Sequence, residues 1–337
     1  MVSVEVLVID ALIAVFCIAA LAYMFYDIHV NKLDFKIQMM VGGKAKSVKA
    51  ALWCMFCLFW DAVGIGSYGP LTAGFKTFKI MRDKYIPGTL QVCTISAQLI
   101  SSIVFITNVD VEILTLVCCI VAATIGAFIG GGLVSRLNLD MTRIAIGIAL
   151  IIVAIIMIAR LTGVLGQQIG DATGLEGWKL ALITIICFIF GALMTIGIGI
   201  YAPVMCTVAL LGMDVGVAYP IMMGSCAFLI PTAAISFIRT GIHAEKPNYD
   251  RKTAVISTVF GALGTAIGCW VILTIMAETD ISILNWIVAI VVILIAIQML
   301  YQGITKKRDV VADEEDAEFD RLKAEYLAAH PEERPAA

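Results

Sequence analysis

Two short motifs place glycine, tyrosine and proline side by side inside long apolar stretches. The first reads Gly-Ile-Gly-Ser-Tyr-Gly-Pro over 64–70, and the second reads Gly-Ile-Gly-Ile-Tyr-Ala-Pro over 197–203. Glycine adds backbone freedom and proline removes an N–H donor, so both motifs should interrupt helices. In hydrocarbon, interrupted backbone persists only where it is buried in protein or lines a cavity. Matched interruptions in two half-sequences therefore predict a solute-binding site.

After each interruption a short helix would point its N-terminus toward mid-membrane. The free N–H groups and the positive dipole end of such a terminus bind anions without any cationic side chain. We expect the glycines to allow close approach, the hydroxyl groups to contact the solute and the prolines to begin the distal helices. The alternative is that glycine and proline are simply frequent in membrane helices. The motif residues predicted to bind substrate are Gly64, Gly66, Ser67, Tyr68, Pro70, Gly197, Gly199, Tyr201 and Pro203.

Asp61, three residues before the first motif, is the only charged residue in a segment that we assign to membrane depth. Intramembrane acids are costly and usually functional. Asp61 could carry a coupling proton, or it could order the motif by accepting backbone hydrogen bonds. An anion site requires its carboxyl group to be protonated or turned away from the solute. The alternative is a position closer to the cytoplasmic interface.

Polar side chains follow the first motif at helical spacing along 87–107, and we expect them to line the pathway. They are Gln91, Thr94, Gln98 and Ser101. The matching stretch of the second half contributes Ser225, Thr232 and Ser236, with Pro231 as a further break. We name Gln91, Thr94 and Ser225 as substrate-binding candidates. The alternative for each is a hydrogen bond that only joins helices.

Hydrophobic residues make up 61% of the 337 residues and charged residues 15%, unlike a soluble globular domain. Since a membrane span needs about 20 apolar residues, most of the long uncharged stretches read as transmembrane helices. These stretches are 87–107, 113–135, 144–159, 180–213, 215–238, 253–277 and 281–305. The arms of the first motif segment, 51–63 and 71–82, are only about 18–20 Å long as helices. They predict a re-entrant hairpin.

The motifs belong to an internal repeat. At an offset of 133 positions, Pro87, Cys54 and Cys93 also fall on identical residues. Past the next loop the offset becomes 138, and Gly126-x-x-x-Gly130 falls on Gly264-x-x-x-Gly268, pairs that we assign to helix packing. Each half then holds one hairpin and three spans, so an odd number of crossings inverts the second half.

The sequence thus predicts an all-α integral membrane protein. It would have two inverted repeats, each a broken helical hairpin plus three transmembrane helices, and one extra N-terminal helix over 4–26. Lysine-rich loops place the N-terminus outside and the C-terminus in the cytoplasm. The predicted regions are 1–50 (first helix and cytoplasmic loop), 51–162 (first repeat), 163–178 (external linker), 179–305 (second repeat) and 306–337 (acidic tail, a solvated helix or a disordered end).

At this point the chain resembles the sulfite exporter family (TauE/SafE), whose halves each carry a glycine-rich motif followed by proline. The resemblance covers about 50–303, and its motif positions would be Gly64, Gly66, Pro70, Gly197, Gly199 and Pro203. It implies transport of sulfite or related sulfur anions across the cytoplasmic membrane. The chain departs from the family where Ser67-Tyr68 and Ile200-Tyr201 replace a run of glycines.

We therefore expect a secondary transporter of a small anion, either sulfite or an organosulfonate, that works by alternating access. The alternatives are an anion channel and a membrane subunit without transport activity. An intramembrane hydrolase is disfavoured because no histidine lies in a membrane segment to serve as base. We expect no catalytic residue, cofactor, metal or nucleic acid. The partners would be the anion and the bilayer, with homo-oligomerisation left open.

Overall fold

The structure, a computed structural model, describes most of the 337-residue chain. The described residues are 3–41, 43–81, 85–133, 170–194, 199–242, 248–278, 281–304 and 312–330, with single positions between 144 and 162.

Helices make up nearly all of these ranges. In chain order they are α1 (Val4–Val30), α2 (Lys32–Met40), α3 (Gly43–Val63), α4 (Tyr68–Thr77), α5 (Ile86–Cys93), α6 (Ile95–Asn108), α7 (Ile113–Leu133), α8 (Gly177–Met194), α9 (Tyr201–Leu211), α10 (Ala218–Ile242), α11 (Arg251–Glu278), α12 (Ile281–Ile304) and α13 (Ala312–Ala329). The described positions between 144 and 159 are also helical. No strand occurs in the described ranges, where the β-type pairing is an isolated bridge between Ala172 and Met213.

Five described helical stretches are long and apolar enough to cross a membrane, judged by length and composition. They are Val4–Val30, Ile86–Asn108, Gly177–Met194, Val215–Gly241 and Arg251–Ala277. The predicted all-α class is confirmed, and the chain is consistent with a membrane location.

The side chains are distributed as a bilayer requires. Val15, Phe128 and Trp270 expose 69%, 81% and 68% of their surface, whereas Gln91 and Gln98 expose 3% and 1%. Lipid accepts apolar side chains but offers no hydrogen-bond partner to polar groups. Polar residues therefore face the protein interior, and apolar residues cover the outside.

The first hairpin, α3 and α4, differs from the predicted arms 51–63 and 71–82. α3 begins at Gly43 rather than at residue 51 and has 21 residues. Its first turns carry Lys44, Lys46 and Lys49, and it is not among the five apolar stretches named above. The predicted start of the first arm is therefore wrong. α4 begins at Tyr68 rather than at residue 71, with Pro70 as its third residue. Proline is tolerated there because the first turn of a helix needs no N–H donor from it.

The helix that follows each motif is interrupted in the first half and continuous in the second. The span predicted at 87–107 is present, but it is divided at Thr94, whose hydroxyl group donates to the carbonyl oxygen of Leu90 at 2.8 Å. Such bonds bend helices. The break predicted at Pro231 is wrong, because Pro231 lies inside the continuous helix α10. Packed neighbours make proline tolerable in a buried membrane helix.

Matched glycine crossings join each hairpin to a helix of the other half. A Cβ added to Gly126 of α7 would lie 2.0 Å from the carbonyl oxygen of Phe188 in α8. A Cβ added to Gly264 of α11 would lie 2.1 Å from that of Met55 in α3. These pairs are related by the two offsets of the repeat, and they belong to the most extensive helix contacts of the described chain. The predicted packing role of Gly126 and Gly264 is confirmed.

A buried ion pair ties α1 to α11. Arg251 donates to Asp27 from Nε at 2.7 Å and from Nη2 at 3.0 Å. The hydroxyl group of Tyr249 donates to the same carboxylate at 2.6 Å. Burial, and then the neighbouring Asp27, raises the pKa of Tyr249, which therefore stays a neutral donor. α1 runs to Val30, past the predicted end at residue 26, so Asp27 is a second buried acid beside Asp61.

The acidic tail forms α13, which packs on α2. Lys323 pairs with Asp34 at 2.8 Å, and Lys36 donates to the hydroxyl group of Tyr326. The sequence left two states open for this region, a solvated helix and a disordered end. Residues 312–329 form a helix. One ion pair and one lysine–tyrosine hydrogen bond accompany this contact among the described residues.

Candidate functional site

Both motifs face one cavity between the halves. The cavity has a volume of about 50 Å³, which suffices for a few water molecules or one small solute. Four residues of the first half line it together with their repeat counterparts. The pairs are Asp61 with Met194, Gly66 with Gly199, Tyr68 with Tyr201, and Gly69 with Ala202. The rest of the described lining consists of Ile65, Ser67, Gln98, Ile230 and Ile295.

The two short helices begin at this cavity. α4 begins at Tyr68 and α9 at Tyr201. In each helix proline is the third residue, and the fourth residue donates the first intrahelical bond, at 2.8 Å in α4 and 3.1 Å in α9. The amides of the first two residues have no intrahelical acceptor. Two positive dipole ends, one from each half, therefore lie at the same space.

The turn before α4 requires glycine. Gly64 and Gly66 have φ angles of +103° and +81°, in the left-handed region. A Cβ at Gly64 would lie 2.3 Å from Cε of Met205, so this residue also permits close approach of the second half. A Cβ at Gly199 meets nothing within 4 Å. Gly197 lies outside the described residues.

Asp61 is the polar centre of the cavity. Its Oδ1 accepts from the backbone N–H of Ser67 at 2.6 Å. Its Oδ2 accepts from Nε2 of Gln98 at 2.9 Å and from the hydroxyl group of Tyr201 at 3.1 Å. These bonds offset part of the cost of burying a carboxyl group. Asp61 thus orders the motif through a backbone bond, as one of the two predicted roles requires, and it is not turned away from the cavity.

Tyr201 has two partners besides Asp61, and one of them is Gln98, whose Nε2 donates to the tyrosine oxygen at 2.8 Å. Its hydroxyl group lies 3.3 Å from Sδ of Met223, which can accept in place of the carboxylate. If Asp61 is protonated at Oδ2, that proton can point to the tyrosine oxygen while the tyrosine hydrogen turns to the sulfur. The network therefore accommodates Asp61 in both protonation states.

Several predicted residues lie behind the cavity rather than in its described lining. Tyr68 donates to Oε1 of Gln91 at 2.8 Å, so Gln91 supports a lining residue. Gln91 precedes Gln98 by about two helical turns and Thr94 by about one. Both therefore lie at a different height along the helix axis from the cavity-lining Gln98. The hydroxyl group of Ser225 is buried, with no hydrogen-bond partner among the described residues. Gly64, Pro70 and Pro203 also lie outside the described lining.

The apolar part of the wall was not predicted. Met194 could have been found, because it is the repeat counterpart of Asp61. Ile230 and Ile295 are isoleucines in apolar helices, and nothing in their sequence context distinguishes them from lipid-facing isoleucines. Their contribution is to surround Asp61 with a medium of low polarity.

The cysteines contribute no metal centre to the described structure. Cys54 and Cys57 are buried thiols. No group of three His, Cys, Asp or Glu side chains in the described residues is arranged to hold a metal ion.

Comparison with known proteins gave no match to a family model, to a curated protein or to a solved structure. The resemblance to the sulfite exporter family therefore remains a prediction from the motifs.

Proposed function

We propose that this chain is a secondary membrane transporter that moves a small anion, sulfite or an organosulfonate, by alternating access. The observation that carries the proposal is the meeting of two helix N-termini, one from each half, at one cavity. Unpaired N–H groups and positive dipole ends bind negative charge. The described lining holds no lysine or arginine, so the backbone would supply the positive potential.

The proposal includes inverted halves. Each half would hold one hairpin and three spans, and the odd number of crossings would reverse the second half. The matched glycine crossings and the four matched lining pairs support the repeat. The lysines of 27–50 and 306–308 favour a cytoplasmic location for both regions, with the N-terminus outside.

Asp61 is the coupling residue in this proposal. A carboxylate and a bound anion repel each other, so anion binding would favour protonated Asp61. Proton and anion would then enter the cavity together and leave together. The alternative hydrogen-bond partner of Tyr201, Met223, supports this, because it lets the network keep the extra proton.

Flux into liposomes that contain the purified protein tests the proposal. Sulfite, sulfate, ethanesulfonate and acetate would be offered at several concentrations. We expect saturable uptake of sulfite or the sulfonate. Gly66→Val should reduce it at least about tenfold, because valine strains a left-handed backbone at the cavity. Gly212→Val is the matched control, since Gly212 has the same φ of +81° and no atom within 4 Å of its added Cβ.

The outcomes separate the alternatives. Unsaturable flux would indicate a channel, and no flux of any anion would indicate a membrane subunit without transport activity. Equal flux in Gly66→Val and in Gly212→Val would remove the motif from the mechanism.

A further inference from the structure

A basic segment, residues 32–49, runs from α2 into the start of α3. It holds five lysines against one acid, Asp34. The turn between the two helices is fixed, because Nζ of Lys252 in α11 donates to the carbonyl oxygen of Val41 at 2.9 Å. Four of the lysines are exposed and Lys46 is half-buried. The lysines of the basic segment are Lys32, Lys36, Lys44, Lys46 and Lys49.

The basic segment lies where the chain leaves the apolar part of the protein. α1, which is apolar and long enough to span a membrane, ends two positions before Lys32. On α3 an exposed apolar stripe consists of Val48, Leu52 and Phe56, which expose 56%, 58% and 51% of their surface. Residues four positions apart share one helix face, so this stripe faces lipid, and Lys44 lies one turn before it. Lysines in such positions reach the level of the lipid headgroups.

The acidic helix α13 is seated on this segment. Its Lys323 pairs with Asp34 at 2.8 Å. Lys36 donates to the hydroxyl group of Tyr326, and its Nζ lies 4.6 Å from the centre of that ring. Tyr326 is only 8% exposed, so α13 is packed at this point rather than surrounded by solvent. Residues 312–330 hold seven acids against two bases, so the basic segment contacts a helix of opposite net charge.

An anionic surface can replace this contact. The side chains of Lys323 and Asp34 are 36% and 20% exposed, and partly exposed ion pairs are weak and screened by salt. A bilayer with anionic headgroups attracts lysines at its surface and repels acids. Both effects act against docking of α13 on the basic segment.

We propose that the basic segment binds the anionic headgroups of phospholipids and that α13 competes with them for it. The tail occupies the segment in a zwitterionic bilayer and leaves it in an anionic one. Most helical stability in proteins comes from packing, so α13 frays once it is released. The inference assigns a lipid partner to the basic segment, and it does not depend on the proposed anion transport.

Hydrogen exchange of the full chain in nanodiscs tests the inference. The discs contain phosphatidylcholine alone or equal parts of phosphatidylcholine and phosphatidylglycerol, at one pH and one ionic strength. The amides of 322–329 should exchange at least about tenfold faster in the anionic discs, because release removes the protection that docking gives. Inorganic phosphate added to phosphatidylcholine discs at the same ionic strength should leave α13 docked, which separates lipid headgroups from free phosphate.

A lysine variant tests the basic segment itself. It replaces three exposed lysines by glutamine and keeps Lys36, the partner of Tyr326. The ratio of the exchange rates in the two discs should fall to about twofold or less, because fewer lysines face the headgroups. The matched control replaces Lys76 and Lys79, exposed lysines at the end of α4, and should keep the wild-type ratio. The substitutions of the test variant are Lys32→Gln, Lys44→Gln and Lys49→Gln, and those of the control are Lys76→Gln and Lys79→Gln.

The wild-type measurement alone can overturn the inference, even if the lysine variant fails to fold. Equal exchange in the two discs would refute the competition, and equal release by inorganic phosphate would refute lipid as the ligand. An unchanged ratio in the lysine variant would mean that the anionic bilayer only repels the tail. An equal loss of the ratio in the control variant would assign lipid binding to lysines outside the basic segment.

Discussion

The hydroxyl group of Tyr201 donates a hydrogen bond to Oδ2 of Asp61 at 3.1 Å, across 140 positions of sequence. Tyr201 begins α9 in the second half, and Asp61 lies near the end of α3 in the first. Tyr68, the repeat counterpart of Tyr201, instead donates to Gln91 within its own half. The matched lining residues therefore differ in chemistry, and the acid among the described lining residues is bonded by both halves.

Replacing Tyr201 by phenylalanine should weaken this junction. The loss of a hydrogen bond to a buried carboxyl group should destabilise the protein by about 1–3 kcal/mol. Tyr219→Phe is the control, because its hydroxyl group also links the halves, by donating to the carbonyl oxygen of Val63 at 2.9 Å, but outside the described lining. Thermal unfolding in detergent should show a loss for both, while anion binding should fall only in Tyr201→Phe. Equal binding losses would assign Tyr201 a purely structural role.

Asp61→Asn should abolish the dependence of uptake on proton concentration. Asparagine keeps an oxygen for the N–H of Ser67, but its amino group would face the amino group of Gln98. Asp61→Leu should destabilise the protein more, by about 1–3 kcal/mol, because the Ser67 N–H then loses its acceptor. Uptake measured across a pH series checks this. A pH profile of Asp61→Asn that matches the wild type would rule out Asp61 as the coupling residue.

Larger side chains at the glycine crossings should disrupt the fold in both halves to a similar degree. Gly126→Leu and Gly264→Leu each place atoms where a carbonyl oxygen lies about 2 Å from the first added carbon. Overpacking of this kind costs typically about 1–3 kcal/mol, and more when backbone is the obstacle. Phe128→Leu and Trp270→Leu, on the exposed faces of the same helices, are the controls. Size-exclusion profiles after heating should show loss of the glycine variants alone.

Removing one member of the Asp27–Arg251 ion pair should destabilise the protein more than replacing both members by apolar residues. Asp27→Leu or Arg251→Met alone leaves a buried group without its partner and should cost about 3–5 kcal/mol. The double variant Asp27→Leu with Arg251→Met should cost less than either single change. Thermal unfolding of the three variants forms a double-mutant cycle. Additive losses would mean that the two side chains do not act as a pair.

The sequence predicted the helical class and the interruption before α4 because both follow from local rules. Apolar stretches of about 20 residues predict spans, and glycine beside proline predicts an interruption. The repeat added a long-range constraint, which is why Gly126 and Gly264 could be assigned to packing before their contacts were known.

The sequence could not predict partners that depend on how helices meet. Asp27 and Arg251 lie 224 positions apart, and neither carries a motif, so Asp27 read as part of a loop. Ile230 and Ile295 reach the cavity only through the crossing of α10 and α12 with the motif helices. The depth of Gln98 relative to Gln91 and Thr94 likewise depends on where α6 passes the break, which helical spacing alone leaves open.

The glycine crossings also bear on which parts of the molecule can move. α3 is fastened to α11, and α8 to α7, so the long helix of each hairpin is braced against the opposite half. Rotation of one half against the other would separate both of these helix contacts. α4 and α9 make much smaller contacts with other helices, so we expect these two short helices, rather than α3 and α8, to shift when access to the cavity changes.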